Sequence, residues 1–227
     1  MNELELTGRA RTHVVDIVEP PCTLHYEVVA SWLAMRDAAS ADGIDLQARS
    51  SFRDFATQVA IWNSKWRGER PLYDREGRLL EREQLDDSQA IDAILCWSAL
   101  PGGSRHHWGS DVDVVDAAAI RPGDKVELVP SEYAQGGRFE KLADWLDRRM
   151  HEFGFFRPYR TERGGVSPEP WHLSYAPVAL PALESLSLSM LRHVLEESDI
   201  EGKPHVLMRL PEIYTRYLLS IDPPPRR

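Results

Sequence analysis

Ser104-Arg105-His106-His107-Trp108-Gly109-Ser110-Asp111-Val112-Asp113 is the stretch from which the rest of the chain is read. Residues 110–116 alternate, and the alternation predicts a strand with Val112 and Val114 turned towards a core. Asp111 and Asp113 then share the opposite face. Two carboxylates side by side repel each other unless a cation, a proton or an arginine relieves them. His106 lies just upstream, after a break at Pro101-Gly102-Gly103 that lets the chain turn.

A second stretch, Pro168-Glu169-Pro170-Trp171-His172, completes the set. A short strand over 172–175 sends Trp171 and His172 to opposite faces, His172 towards the face where Asp113 lies. Pro170 biases Glu169 towards an extended conformation. Two imidazoles and one carboxylate suit zinc, a borderline-soft ion. Such a set leaves a position for water and lowers its pKa to roughly 7. A hydrolase also needs a base that is not a ligand, and Glu169 is the residue available.

Working outward, helices are predicted over 25–41, 55–66, 87–99 and 139–153. In the first, Tyr26, Val29, Ala30, Leu33 and Ala34 form the inward face. Asp54 N-caps the second, which turns Phe55, Val59, Trp62 and Trp66 inward. Ile44, Leu46 and Ala48 alternate as a short strand. Residues 67–87 carry both signs of charge and read as a solvated excursion or as the rim of a cleft. Residues 183–195 and 213–219 read as helices packed on the outside, and Pro223 to Arg227 as a frayed tail. Helices and short strands mix without a βαβ rhythm, so the fold class is α+β with a small, mainly antiparallel sheet and flanking helices.

The chain has 227 residues, 42% of them hydrophobic and 28% charged, which fits one soluble globular domain over 1–227. Lys plus Arg is 27 and Asp plus Glu is 36, a net charge of −9. That balance argues against nucleic acid or anionic lipid as a partner. No apolar run approaches the ~18 residues that span a bilayer. No basic start followed by an apolar stretch is visible, so the expected location is the cytoplasm, with export or release at lysis left open. Cys22 and Cys96 are too few for a disulfide framework or an all-cysteine zinc site and read as small buried residues.

Ser104-x-His106-x-x-Gly109-x-x-x-Asp113, followed by Glu169-Pro170-Trp171-His172, resembles the zinc D-alanyl-D-alanine carboxypeptidases and dipeptidases. These belong to the LAS metallopeptidase group, which includes L,D-carboxypeptidases acting on peptidoglycan; hedgehog signalling domains share the architecture. Ser51-Phe52-Arg53 with Gln58, and Gly154-Phe155, match the same family. The resemblance runs from about residue 25 to 177 and leaves residues 180–222 as a C-terminal helical extension. It implies one zinc per chain held by His106, Asp113 and His172, and Glu169 as the base acting on zinc-bound water. It implies that Arg53 holds the scissile carbonyl or a substrate carboxylate. Ser104, Gln58, Asp111 and Trp171 are the expected substrate-side residues. The implied substrate is a peptidoglycan stem peptide or a small peptide containing D-Ala. Alternatives are a phage-type peptidoglycan endopeptidase, an L,D-carboxypeptidase, a D-Ala-D-Ala dipeptidase or a zinc-binding domain without turnover. Two departures stand out: Asp111 occupies the family's alanine position, and Ser174 a position where arginine is common.

The remaining histidines, His13, His25, His151, His193 and His205, read as surface or satisfied core residues. His107 reads as an exposed neighbour of the site or as a contact to ligand or substrate. Trp108 reads as core or cleft wall. Arg157, Arg160 and Arg163 read as a solvated loop or as an attraction for peptide carboxylates. Neither a Gly-x-Ser-x-Gly elbow nor a His-Glu-x-x-His helix is present.

Overall fold

The computed structural model describes residues 1–225. A short helix α1 (Glu3–Leu6) precedes a hairpin of β1 (Val14–Ile17) and β2 (Cys22–His25). Helix α2 (Val29–Ala41) leads to β3 (Leu46–Ser50), and α3 (Phe55–Trp66) to a small hairpin of β4 (Leu72–Tyr73) and β5 (Leu79–Leu80). Then come α4 (Asp87–Leu95), β6 (Asp111–Asp116), α5 (Pro130–Tyr133), α6 (Glu140–Arg149), β7 (Phe155–Phe156) and β8 (His172–Tyr175). Helices α7 (Ala176–Ser185), α8 (Leu188–Glu196) and α9 (Lys203–Ile213) follow, and Tyr214–Leu219 continues α9 as a π-helical turn. No helix among the described residues is long and apolar enough to cross a membrane.

The principal sheet has the order β3-β6-β8-β7 with every pair antiparallel. This is the α+β arrangement expected. Val112, Val114 and Leu173 are fully buried with Trp32, Met35, Phe155 and Trp145 in one core on the sheet's inner face. Asp111, Asp113, His172 and Ser174 take the opposite face of β6 and β8, so at these positions the pleat separates core from site. Local signals set the boundaries. Asp54 accepts from Thr57 N at 2.7 Å at the start of α3, and Asp86 forms a capping box with Gln89 at the start of α4. Gly154, at φ 81°, closes the 3-10 turn after α6.

Three expectations are corrected. Helix α2 begins at Val29 because His25 is paired with Val14 in the hairpin, and it buries Trp32, Met35 and Ala39; Tyr26 and Leu33 are exposed. The predicted helix 183–195 is two helices, broken at Leu186 and Ser187, where Ser187 caps α8. Helix α9 begins at Lys203, well before residue 213, and the C-terminal helices do not merely lie outside. They build a second core with Trp62, Ile91, Ile94 and Trp108 through Leu191, Val206, Leu210 and Ile213. Pro223–Pro225 carry no regular structure, and Arg226 and Arg227 of the predicted tail lie outside the described residues.

Candidate metal centre

Strands β6 and β8 pair with Asp113 opposite His172, Val112 opposite Leu173 and Asp111 opposite Ser174. Directly opposed residues in an antiparallel pair share a face. Asp111, Asp113, His172 and Ser174 therefore form one polar patch behind the core. His106 arrives from a 3-10 turn, Arg105–Trp108, that ends at Gly109 with φ 65°. A Cβ at Gly109 would stand 2.6 Å from His25 N and 2.6 Å from Val14 Cγ1. Glycine is needed there for the left-handed backbone and for the approach of the β1–β2 hairpin.

His106, Asp113 and His172 each offer a ligand atom, all within 4.8 Å of one another, and all three are buried. His106 Nε2 lies 3.4 Å from Asp113 Oδ2, and His172 Nδ1 lies 3.2 Å from Asp113 Oδ1. The ring centroids are 5.0 Å apart. The outer nitrogens are occupied: His106 Nδ1 donates to the Ser51 carbonyl at 2.9 Å, and His172 Nε2 to Asp111 Oδ1 at 3.0 Å. Each ring therefore turns its remaining nitrogen inward, the arrangement seen for metal-binding histidines. Asp113 Oδ1 is buried and makes no hydrogen bond. A buried carboxylate oxygen without a donor calls for a cation. Two nitrogens and one oxygen suit a divalent ion of zinc's type.

Burial pushes the His106 imidazole down to about 4, so that ring is neutral and its lone pair free. Burial also opposes charge on His172, but the surrounding carboxylates of Asp111, Asp113 and Glu169 outweigh it and raise its pKa well above the ordinary value. Burial opposes the charge on Asp113 too, yet His106, His172 and Arg53 keep its carboxyl below the usual range.

Glu169 Oε2 lies 3.3 Å from His172 Nδ1. Burial, and then the charge of Asp113, raise the Glu169 pKa, which moves it towards what a proton carrier near neutrality requires. Its main chain is pinned: Glu169 N donates to the Tyr159 carbonyl at 2.9 Å, and Arg157 Nε donates to the Pro170 carbonyl at 2.8 Å. Arg53 is half-buried; its Nη1 donates to Gln58 Oε1 at 2.8 Å and its Nη2 to Ser50 Oγ at 2.9 Å. Asp113 and Glu169 both contribute to its charged environment.

The structure thus brings His106, Asp113, His172, Glu169 and Arg53 into one neighbourhood. The expected substrate-side residues Gln58, Trp171, Asp111 and Ser104 are placed as follows. Gln58 is fully buried, and its amide is spent on Arg53 and the Ala99 carbonyl. Trp171 lies in the core, stacked on Trp97 at 6.3 Å. Asp111 is 0% exposed and hydrogen-bonded to Arg105. All three are buried, as His172 and Glu169 are. Ser104 is equally closed off, with its Oγ unpartnered.

Two positioning residues escaped the sequence reading. His107 is buried, not exposed: its Nδ1 donates to the Arg53 carbonyl at 2.6 Å and its Nε2 accepts from Gly102 N at 3.1 Å. Arg157 is likewise buried against Asp147 and Pro170, whereas Arg160 is exposed and Arg163 pairs with Asp222. Both His107 and Arg157 bind main-chain carbonyls, which leave no pattern in side-chain identity. The doubled histidine after a glycine break was the available signal for His107.

The sequence profile described as VanY, D-alanyl-D-alanine carboxypeptidase, matches residues 22–178. Two uncharacterised proteins of Haemophilus influenzae are similar. One is 44% identical over 98 residues, covering 42% of this chain and 67% of the relative. The other is 32% identical over 128 residues, covering 56% and 95%. A D-alanyl-D-alanine carboxypeptidase of Enterococcus faecalis is 31% identical over 142 residues, covering 61% of this chain and 43% of its own. Among solved structures, VanYB in complex with D-alanine-D-alanine shares the fold at TM-score 0.53 and 23% identity, over 82% of this chain and 89% of that one. A vancomycin-resistance D,D-pentapeptidase VanY, a glutamate-to-alanine mutant in complex with Zn(II), aligns at TM-score 0.52 and 25% identity, over 78% and 88%.

Proposed function

We propose, from the premise that this chain belongs to the VanY D-alanyl-D-alanine carboxypeptidase family, that it is a zinc carboxypeptidase cleaving D-alanyl bonds in peptidoglycan-type peptides. The observation that carries the reading is the orphaned Asp113 Oδ1 between two inward-facing imidazoles, with the Glu169 carboxyl alongside.

His106, Asp113 and His172 would hold the ion. When bound, zinc supplies Lewis-acid chemistry, acidifying water and polarising a carbonyl. Glu169 takes a proton at its carboxylate from the attacking water and returns it to the leaving amine nitrogen. For that cycle it must begin ionised, although burial favours its protonated form. Activity should therefore fade on the acid side at a pH above the ordinary carboxylate range. Arg53, tethered by Gln58 and Ser50, presents its charge to the developing oxyanion or to the terminal carboxylate of the peptide. His107 and Arg157 hold the backbones that carry Arg53 and Glu169.

The test is Glu169→Gln in the zinc-loaded protein, with metal content measured beside hydrolysis. Mass spectrometry of tetra- and pentapeptide stems before and after incubation reads the product. The variant should keep its zinc and lose hydrolysis by at least about a hundredfold, the scale of a general base. Full turnover by that variant would refute Glu169 as the base. Loss of a residue other than D-alanine would move the substrate to one of the alternative bonds.

A further inference from the structure

Behind His172, on the side away from Asp113, lies a buried ionic cluster that the reaction above does not use. Asp111 Oδ1 accepts from His172 Nε2 at 3.0 Å and from Arg105 Nε at 2.8 Å. Asp111 Oδ2 accepts from Ser110 Oγ at 2.5 Å and from Ser174 Oγ at 3.2 Å. Arg105 Nη2 donates to Ser174 Oγ at 2.6 Å, and its guanidinium lies 4.9 Å from the centre of the Trp108 ring. Asp111 is 0% exposed and Arg105 only 4%. Full burial of an ion pair is costly, and a well-packed apolar pair often serves stability as well or better. Stability alone therefore accounts poorly for this cluster.

We infer that Asp111 is a positioning residue for the metal ligand His172, and that Arg105, Ser110 and Ser174 hold it in that role. The inference rests on the metal reading proposed above. Asp111 keeps the ring proton on Nε2, so the Nδ1 lone pair faces Asp113. Its negative charge raises the basicity of that lone pair, as a carboxylate behind a metal-bound imidazole does. Arg105 keeps the carboxylate ionised without competing for the ring N–H, because a guanidinium has no hydrogen-bond acceptor. His106 is backed differently, by the neutral carbonyl of Ser51. The two imidazoles are thus unequal, and His172 is the stronger donor of the pair.

Asp111→Asn tests this. The amide keeps the size of the side chain and an oxygen that can accept from Nε2, but removes the charge. Zinc affinity is measured by chelator competition on wild type and variant, and the visible spectrum of each cobalt-loaded protein is recorded. The variant should bind zinc about ten- to a hundredfold more weakly, with a changed cobalt spectrum. Where Arg105, left unpaired, prevents folding, the double variant Arg105→Met with Asp111→Asn removes both buried charges, and the same weakening is expected. Wild-type zinc affinity and an unchanged spectrum in a folded variant would overturn the inference, even with a lowered melting temperature. A wild-type chain that binds no zinc would instead overturn the reading of the site itself.

Discussion

The four-stranded sheet and the 3-10 turn before β6 place carboxylates and imidazoles within 3.4 Å of one another, whereas the C-terminal helical region reaches the same neighbourhood by side chains that bind main-chain groups. Asp222, just beyond the last helical turn, accepts from Arg160 N, Thr161 N and Thr161 Oγ1, and donates its own N–H to the Pro158 carbonyl. Arg216 Nε donates to the Gly164 carbonyl at 2.5 Å. These contacts hold the segment whose Tyr159 carbonyl accepts from Glu169 N. Chemistry resides in the sheet, and the shape of the Glu169 segment is set partly by helices beyond the 22–178 family match. The contrast teaches that a site can depend on a region that contributes no reacting group.

Substitutions can break that contrast or sharpen it. The largest effect is expected in the sheet. His172→Ala should abolish stoichiometric zinc binding and reduce hydrolysis to background, read by metal analysis and peptide assay, with the fold retained. In the helical half, Leu210→Ala should cost about 2–5 kcal/mol of stability, because the side chain is fully buried. Its zinc stoichiometry should not change. Denaturant titration and metal analysis together check this, and zinc loss in a folded Leu210→Ala protein would erase the distinction between the halves.

A smaller effect concerns pH. The carboxylates around His172 raise its pKa, so a proton and zinc compete for that ring. Apparent affinity should rise up to about tenfold per pH unit and flatten above the raised value. Calorimetry in buffers of different ionisation enthalpy would show the proton released. In the metal-free chain the same shift stabilises the fold fully below the ordinary value of 6.5, and that contribution disappears as pH rises through the folded-state pKa. The smallest effect is at a helix end. Asp54→Ala removes the cap on α3 and should cost about 1 kcal/mol in a thermal melt, with zinc affinity unchanged.

The sheet half was the more legible one. Strict alternation at 111–114, a glycine break before His106 and a proline before Trp171 are local signals, and each predicted its element. The burial of α2 was misread because the hairpin takes residues up to His25, which shifts the helix start and rotates the inward face to Trp32, Met35 and Ala39. The second core was invisible because its members, from Leu6 to Leu218, are brought together only by the tertiary fold. Arg157 and His107 look like surface residues until the carbonyls they bind are in view. The zinc set was readable in advance because ligand chemistry restricts residue type, whereas main-chain bracing does not.

Gly109 ties the N-terminal hairpin to the turn that carries His106. His25 N donates to its carbonyl, and Trp108 Nε1 donates to the Leu6 carbonyl at 3.1 Å. The N-terminal hairpin, which pairs with itself and meets Ser51 and Phe52, gains its last partners only when the turn before β6 has been made. A substitution that displaces the Gly109 carbonyl would therefore loosen the hairpin and the metal-side turn together, although neither touches the other in sequence.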